Sequence, residues 1–523
     1  MLTPEQQQAF DVCTHNPAPI TIIQGKAGSG KSYLVKELVK QLPNVVILTP
    51  TNMARSVYPQ AQTYHSFFYG ELDDLDEGYQ NAPDYKCHNN LWVRDKLTHT
   101  KVIIFDEISM VRADYFEMMN RICQHVKHSN VIFGGIQIIC VGDMFQLPPV
   151  VEDEAILRYL MTEYHGVYYF NSHIIQNNIS KIRYCELHHS YRQKDDSEYE
   201  RILDAVRMGC SLEQAVQVLD RLNTRMVNQH QIPADIITIA SSNAEVLNIN
   251  HQKLSKLVGQ EFHFPAQFTV KHQTLDTYKS VLYSDISSLN GEYKKVEVPS
   301  SYEAELVVKV GAKVMFTSSN RREGYSNGDM GKVSQIEPNS IYIVHDKTGA
   351  IHRIERTTKY RYQMHYDEHK HRLTRTGKYL QKTIQFPIKL AYAFTVHKSQ
   401  GSQFSAVILV LSDKTFLMSK ELLYTAITRQ KDRLYILYDE EAYNLKKYSS
   451  GEYSDIAQRY TDLFEAPKIV EINDKYYEEN LIHKTKNGIM VRSKSEVIIA
   501  NMLCDNGIDD FLYEAKLELG DTY

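Results

Sequence analysis

Several features that mark particular classes of protein are missing from this chain. Its seven cysteines include no C-x-x-C pair, which argues against a zinc site and for reduced thiols in a reducing compartment. No apolar run reaches the roughly 18 residues of a membrane span, so we expect none. The N-terminus, MLTPEQQQAF, lacks the charged and then apolar layout of a signal peptide. These absences predict a cytoplasmic location, associated with the nucleoid if the chain is bacterial.

The chain also lacks a strong excess of either charge. Its 59 Lys and Arg residues face 64 Asp and Glu residues, for a net charge of −5. This balance does not indicate a nucleic-acid partner, although local basic patches could still bind one. Tryptophan occurs once and tyrosine 36 times; most of these tyrosines are expected to be half-buried packing residues. At 523 residues, 43% of them hydrophobic, the chain can form three or four domains.

The most informative stretch is GKAGSGKS at residues 25–32, which matches the phosphate-loop pattern G-x-x-x-x-G-K-[ST]. An apolar strand, 21–23, leads into the loop, and an amphipathic helix, 33–42, leaves it. This order places backbone N–H groups and a helix N-terminus around a phosphate chain, whereas a bare glycine-rich turn would need no such context. Lys31 would reach the β- and γ-phosphates of ATP, and the Ser32 hydroxyl would ligate Mg²⁺. The candidate ATP contacts in the loop are Gly25, Ala27, Gly28, Ser29, Gly30, Lys31 and Ser32.

Polar side chains follow two further predicted strands. Asp106 and Glu107 come directly after the apolar strand 101–105, where a nucleotidase holds Mg²⁺ and polarises water. We expect Asp106 to bind the metal and Glu107 to act as general base or to orient the attacking water. Gln146, in GDMFQLPPV after strand 136–141, offers an amide to the γ-phosphate and to a water. The alternation of strands and motifs predicts a parallel α/β sheet over roughly the first 185 residues.

A second sheet is expected later in the chain. Apolar runs at 235–240, 407–411 and 434–437 read as its strands. Arg192 in SYRQ and Arg429 in LYTAITR belong to this part of the chain. Two arginines on a second domain that face a nucleotide held by the first are what an arginine-finger mechanism needs.

Two segments that follow strands combine hydroxyls, a histidine and aromatic rings. They are TPTNMARS at 49–56 and TYHSFF at 63–68. Such residues suit contact with a phosphate backbone and stacking of single-stranded bases. Taken alone, both segments are better explained as ordinary surface loops.

Nine ordered motifs together resemble the 5′-to-3′ DNA helicases of superfamily 1B, in the branch of the petite-integration-frequency, RecD and Dda helicases. The resemblance covers roughly residues 1–445. The motifs are LTPEQ, GKAGSGKS, TPTNMA, TYHSF, FDEISM, GDMFQLPPV, HHSYRQ, TVHKSQGSQF and LYTAITR.

This resemblance implies an α/β fold with two RecA-like parallel-sheet domains, a small β-barrel inserted in the second, and a partial α/β C-terminal extension. A wedge insertion would lie around 66–95. The implied boundaries are 1–185 for the first domain, 186–257 with 386–445 for the second, 258–385 for the inserted domain, and 446–523 for the linker and extension.

The resemblance also implies an activity and residue roles. The chain would be an ATP- and Mg²⁺-dependent helicase that moves 5′ to 3′ on single-stranded DNA and unwinds forked duplex DNA in replication, repair or recombination. Gln6 would read adenine, Gly401 would contact ATP, and Arg192 and Arg429 would contact the γ-phosphate. The candidate DNA contacts are Thr51, Asn52, Thr63, His65, Ser66, Phe67, Thr395, His397 and Lys398.

The inserted segment is rich in Tyr, Thr and Val and shows short alternating runs. Within it, residues 353–382 carry nine Lys or Arg residues against three Asp or Glu residues, with tyrosines interleaved. This composition suits a single-strand channel. A solvated hairpin with incidental charge explains it about as well.

The C-terminal segment contains an amphipathic helix at 491–503 and ends in YEAKLEL. Glu496 and Glu514 give it a weak resemblance to the opening of a PD-(D/E)xK nuclease, but the metal-binding strand of that fold would lie beyond residue 523. Glu496 could instead form a capping box with Ser493. We therefore expect no nuclease chemistry from this chain.

Three other functions remain open at this point. The chain could be a helicase–nuclease fusion with an incomplete nuclease domain, or a nucleotide-gated DNA-binding switch that does not unwind. An ATPase that remodels proteins is the third, although TVHKSQG and TYHSF would have no purpose in it.

Overall fold

The computed structural model covers most of the chain. Predictions for Asn52, Arg192, Glu514 and most of the wedge fall outside the residues that it describes. The described residues are 2–51, 57–58, 60–69, 91–151, 153–189, 197–209, 236–289, 291–299, 301–320, 323–367, 372–401, 404–411, 419–438, 483–486, 490–491 and 494–506.

The N-terminal part is built on a six-stranded sheet in which every pair of neighbours is parallel. The strands are β1 Ile20–Gly25, β2 Val45–Thr49, β3 Gln62–Thr63, β4 Val102–Asp106, β5 Gln137–Gly142 and β6 Ile182–Leu187, in the spatial order β3-β2-β4-β5-β1-β6. Strands β1 and β4 are buried along their whole length, as expected for apolar runs covered on both faces. Since β4, β5 and β1 are neighbours, the loops after them meet at one edge of the sheet.

Among the described residues, seven α-helices accompany this sheet. They are α1 Pro4–Thr14, α2 Lys31–Gln41, α3 Tyr64–Tyr69, α4 Leu91–His99, α5 Ala113–Lys127, α6 Glu154–Glu163 and α7 His173–Gln176. Thr3 is the N-cap of α1, Pro4 opens the helix, and Thr3 and Gln6 form a capping box. The predicted P-loop helix is confirmed, although it begins at Lys31, inside the loop motif.

A second sheet of four parallel strands carries the later motifs. Its strands are β7 Ile237–Ala240, β19 Ala393–Thr395, β20 Phe404–Leu411 and β21 Gln430–Tyr438, in the order β19-β7-β20-β21. Its helices are α8 Ser197–Met208, α9 Asn243–Ser255, α10 Val396–Ser399 and α11 Lys420–Ile427. The two parallel sheets confirm the predicted fold class.

Between β7 and β19 the chain forms antiparallel β-structure. A four-stranded sheet has the order β10-β9-β17-β16, a five-stranded sheet the order β15-β14-β13-β12-β18, and β8 pairs with β11. The strands are β8 Phe262–Pro265, β9 Gln267–Lys271, β10 Tyr278–Leu282, β11 Glu305–Val308, β12 Lys313–Phe316, β13 Met330–Ile336, β14 Ile341–His345, β15 Ile351–Ile354, β16 Thr357–Asp367, β17 Arg372–Gln385 and β18 Ile388–Leu390. This β-structure therefore continues past the predicted boundary at 385, because β18 pairs with β12.

The C-terminal segment contributes a short antiparallel pair, β22 His483–Lys484 and β23 Met490–Val491, followed by the helix α12 Lys494–Asp505. The predicted helix is thus present, shifted by a few residues toward the C-terminus. The proposed capping pair at its start lies outside the described side chains. Across the described parts of the chain, no helix is long and apolar enough to cross a membrane.

Candidate active site

The P-loop is shaped by two glycines with positive φ. Gly28 has φ 84° and Gly30 has φ 81°, a left-handed conformation that strains other residues. Gly30 precedes α2, and a Cβ at this position would collide with the side-chain amide of Gln6. These conformations lead the loop directly into the N-terminus of α2, the arrangement that phosphate binding requires.

Lys31 points back into the loop. Its Nζ donates to the carbonyl oxygen of Lys26 at 3.0 Å and to that of Gly25. Burial lowers the pKa of Lys31, while the nearby carboxylates of Asp143, Glu107 and Asp106 oppose that shift. A cation enclosed by loop carbonyls and facing acidic groups is suited to bind the β- and γ-phosphates of ATP.

Asp106 and Glu107 lie at the end of β4, as the sequence predicts. Asp106 is buried and accepts a hydrogen bond from the Glu107 backbone N–H at 3.0 Å. Burial and the Glu107 carboxylate raise the pKa of Asp106. Tyr58 lies close to both Asp106 and Ser32, so these two predicted metal ligands share one small region.

This arrangement fits Mg²⁺. A divalent cation would favour the charged form of two adjoining carboxylates, of which Asp106 is buried and Glu107 half-buried. Among the described residues, no group of three or more His, Cys, Asp or Glu side chains forms a metal site. Mg²⁺ at a nucleotide site needs no such group, because it takes one or two carboxylates together with substrate phosphates and waters.

The second sheet supplies an arginine to the same cleft. Arg429 is buried, and its Nη2 donates to Gln146 Oε1 at 3.3 Å. Its Nε donates to the carbonyl of Thr425 at 2.8 Å, which fixes the guanidinium relative to α11. The structure therefore brings together two predicted γ-phosphate contacts, Arg429 and Gln146, that lie 283 residues apart in the sequence.

Gln6 lies against the P-loop. Its Nε2 donates to the carbonyl of Ser29 at 3.0 Å, and its Oε1 accepts from the Thr3 backbone N–H at 3.2 Å. In this arrangement the amide supports the loop, and the predicted reading of adenine stays a prediction.

Gln400 joins the two domains. It lies in the motif TVHKSQGSQF, but the sequence predicted no role for this residue. Its Nε2 donates to Glu107 Oε2 at 3.3 Å, and its backbone carbonyl accepts from Thr51 Oγ1 at 3.3 Å. TVHKSQG therefore touches both the general-base candidate and a DNA-contact candidate. Gly401 follows with φ 79°, next to this contact.

The segment 63–67 is more deeply packed than predicted. Thr63 Oγ1 accepts from the Ser66 backbone N–H at 3.1 Å, and Ser66 Oγ donates to the Thr63 carbonyl at 3.1 Å, so both hydroxyls stabilise the start of α3. The Phe67 ring is 0% exposed and lies in the core of the first sheet, with Lys96 Nζ 5.6 Å from its centroid. The prediction that Phe67 contacts DNA is therefore wrong, because α3 turns its ring away from the surface.

His65 is half-buried between two tyrosines. Its ring stacks on Tyr64 at 4.1 Å and meets the edge of Tyr115 at 5.2 Å. Burial, reinforced by Arg112, lowers the pKa of His65 to about 3. The imidazole is therefore neutral at physiological pH and offers a ring face and one N–H to a ligand.

The second set of DNA candidates lies at α10. Thr395 is its N-cap, and its side chain accepts from the Lys398 backbone N–H at 3.4 Å. Burial lowers the pKa of His397. Burial and Lys389 lower the pKa of Lys398 to about 8, against the opposing effect of Glu303. The half-buried His397 and Lys398 keep some surface through which they could meet a ligand.

The low pKa of His65 predicts a pH-dependent stability. The His65 imidazole binds a proton near pH 6.5 in the unfolded chain and only near pH 3 in the folded chain. The contribution of the neutral imidazole to the free energy of unfolding is therefore present above pH 6.5 and is lost as the pH falls. Between pH 7.5 and 5.0 the loss is about 2 kcal/mol. We expect His65→Gln to reduce the pH dependence of the urea unfolding free energy by this amount. The exposed His15→Gln control should leave it unchanged, and an equal pH dependence in all three proteins would contradict the assignment.

The basic segment forms most of a long hairpin, β16 and β17, that also contacts α6. Among its described residues, Tyr360 and Tyr379 pack with ring centroids 5.2 Å apart, and Tyr379 also packs against Tyr278 at 4.6 Å. Arg361 is paired with Glu297. The role of this surface in binding DNA stays a prediction.

Comparison with known proteins finds related helicases. The family described as PIF1-like helicase matches residues 1–216, and the UvrD-like helicase C-terminal domain matches residues 390–437. The ATP-dependent DNA helicase Pif1 of Campylobacter jejuni is 30% identical over 444 residues, which cover 82% of this chain and 90% of that protein.

Two solved structures are similar in fold and sequence. One is Pif1 helicase from Bacteroides in complex with ADP-AlF3 and ssDNA, with a TM-score of 0.64, 26% identity, and coverage of 87% of this chain and 98% of the other. The other concerns DNA unwinding at forked dsDNA by two coordinating Pif1 helicases, with a TM-score of 0.64, 26% identity, and coverage of 83% and 92%.

Proposed function

This chain belongs to the PIF1-like helicase family, and we propose that its cleft couples ATP hydrolysis to 5′-to-3′ movement along single-stranded DNA and to duplex unwinding. The observation that carries the proposal is the contact between Arg429 and Gln146 across the cleft. It places an arginine of the second sheet against a polar group of the first, next to the P-loop. ATP bound there would be held from both sides.

Each side of the cleft has a distinct task in this proposal. The P-loop amides and Lys31 hold the β- and γ-phosphates, and Glu107 takes a proton from the attacking water or orients it. Gln146 orients the γ-phosphate and the water, while Arg429 stabilises charge that develops on the transferred phosphoryl group. Arg192 is proposed for the same task.

Ser32 and Asp106 are the residues that would hold Mg²⁺. Bound there, the metal would neutralise charge on the phosphates. Their shared proximity to Tyr58 supports this assignment. Gln6 is proposed to remain at the rim of the nucleotide site, where the capping box of α1 fixes its amide.

The DNA strand is proposed to run past loops that follow the strands of the two parallel sheets. Thr51, Asn52 and His65 would contact it from the first sheet, and Thr395, His397 and Lys398 from the second. Thr51 supports this path, since its hydroxyl donates to Gln400, which in turn contacts Glu107. A strand that moves Thr51 would therefore act on the group that activates water.

We place the chain's work in DNA replication, repair or recombination, with single-stranded and forked duplex DNA as its partners. The two similar structures, one with ssDNA and one concerned with forked dsDNA, support these partners. A cytoplasmic, nucleoid-associated location in a bacterium would follow from such substrates. The proposed domain boundaries are the predicted ones, with the inserted β-structure extended to residue 390.

The polarity is tested by strand displacement. We expect ATP-driven unwinding of a duplex with a 5′ single-stranded tail, and at least about tenfold slower unwinding of a matched duplex with a 3′ tail. A reversed preference would contradict the polarity. ATP hydrolysis that DNA stimulates without any displacement would instead favour a nucleotide-gated switch.

A further inference from the structure

The hydroxyl of Tyr424 joins two separate parts of the first domain. Tyr424 lies in α11, on the second sheet, and is 1% exposed. Its hydroxyl accepts a hydrogen bond from the Ala27 backbone N–H in the P-loop at 2.9 Å and donates one to Asp143 Oδ2 at 2.9 Å. One side chain of the second domain is thus bonded both to the phosphate-binding loop and to the turn after β5.

Asp143 is the centre of this contact. It is 0% exposed, and its Oδ1 accepts from Arg207 Nη2 at 3.2 Å and from Gln24 Nε2 at 3.4 Å. Burial opposes its ionisation, but Arg207 and Lys31 hold the pKa of Asp143 below its usual value. A charged carboxylate is a strong acceptor, so the bond from Tyr424 is worth more than a bond between neutral groups.

Arg429 depends on the same helix. Its Nε bond to the Thr425 carbonyl ties the guanidinium to α11, one residue after Tyr424 in the chain. Gln146, which Arg429 reaches, lies three residues after Asp143. Two side chains, Tyr424 in α11 and Arg429 just after its C-terminal end, therefore contact one short turn of the first domain. Tyr424 and Arg429 are therefore attached to the same helix and contact the same turn.

We propose that Tyr424 is a positioning residue that sets Arg429 against the γ-phosphate by linking α11 to the Ala27 amide and to Asp143. The inference rests on the proposed function of the cleft. Because the Ala27 N–H belongs to the phosphate-binding loop, a shift of that loop on binding phosphate is passed directly to α11. The same bonds let closure of the second domain order the loop.

The alternative is that Tyr424 only fills the core. Its ring packs in a hydrophobic cluster with Leu423, Ile427 and other side chains of the second domain, together with Ala27 and Leu147 of the first. A core-filling tyrosine would retain this packing as phenylalanine, and the loss of its hydroxyl would affect stability alone. Kinetic measurements on the Tyr424→Phe variant therefore distinguish the two roles.

The first test compares Tyr424→Phe with Tyr302→Phe. Tyr302 is also 1% exposed, and its hydroxyl forms a hydrogen bond at 2.8 Å with Thr357 Oγ1 on β16, in the antiparallel β-structure that supplies none of the proposed ATP-site residues. With saturating single-stranded DNA, we expect Tyr424→Phe to lower kcat for ATP about tenfold, with KM within about twofold of wild type. Tyr302→Phe should retain wild-type kcat. Equal kcat in the two variants would overturn the proposal.

The second test asks whether Tyr424 acts through Arg429. Single-turnover hydrolysis is measured for Tyr424→Phe in the wild-type and in the Arg429→Lys background, where the charge remains but the fork is lost. We expect the tenfold effect to shrink to about twofold or less in the second background, because coupled residues are not additive. A full tenfold effect in both would overturn the proposal. Absence of ATP hydrolysis by the wild type would instead refute the function of the cleft.

Discussion

Replacing Lys31 with alanine is expected to lower ATP turnover by about 10³-fold or more, while leaving the affinity for single-stranded DNA largely intact. The loss follows from removing the half-buried amine that faces Asp143, Glu107 and Asp106 at the P-loop. DNA binding should survive because Lys31 lies on the nucleotide side of the cleft. Turnover is measured by phosphate release, and DNA affinity by fluorescence anisotropy of a labelled oligonucleotide.

Lys36→Ala is the matched control for this variant. Lys36 lies on the same helix, α2, with its side chain exposed. It should retain both turnover and DNA affinity. Normal turnover in Lys31→Ala would refute the assignment of the loop, and an equal loss in both variants would trace the effect to damage of α2.

Replacing Arg429 with alanine is expected to lower kcat for ATP about 10³-fold, the lower end of the range for arginines of this kind. The effect should fall on kcat more than on KM, since Arg429 would act on charge that develops in the transition state. Burial lowers the pKa of Arg429, yet the nearby Glu107 opposes that shift, so the guanidinium stays charged. The measurement is steady-state ATPase kinetics with saturating single-stranded DNA.

Arg433→Ala provides the control for Arg429. Arg433 lies four residues later, on strand β21 of the second sheet, with its side chain exposed. Its kcat should equal that of the wild type. If Arg429→Ala left kcat unchanged and lowered kcat/KM only by raising KM, the arginine would serve ATP binding alone.

The parts of the site that the sequence predicted well are those encoded over a few residues. The P-loop follows from the spacing of Gly25, Gly30 and Lys31, and β4 follows from a continuous apolar run that ends in Asp106. Because neighbouring parallel strands carry their loops to one edge, the meeting of these motifs could also be expected. The arrangement β4-β5-β1 confirms it.

The contacts across the cleft could not be predicted in the same way. Tyr424 and Asp143 are 281 residues apart, and Gln400 and Glu107 are 293 apart. No local pattern states which hydroxyl of a helix meets which carboxylate of another domain. The motif LYTAITR drew attention to its arginine, whereas Tyr424 in the same motif was missed because a tyrosine among apolar residues reads as core.

Phe67 shows the opposite error. TYHSFF looks like a surface segment when its polar residues are read as a group, and the aromatic ring then suggests base stacking. Helical geometry decides otherwise, since α3 directs Phe67 and Phe68 into the first core and leaves His65 half-buried. Which ring of a short helix points inward depends on the sheet beneath it, and this information lies elsewhere in the chain.

The central claim is that two domains close on one ATP molecule, with the P-loop on one side and Arg429 on the other. A crystal structure of the chain with ADP–aluminium fluoride and single-stranded DNA tests it most directly. We predict the fluoride group within about 3 Å of both Lys31 Nζ and the Arg429 guanidinium. A nucleotide bound outside the cleft, or one that Lys31 contacts while Arg429 stays more than about 8 Å away, would contradict the account.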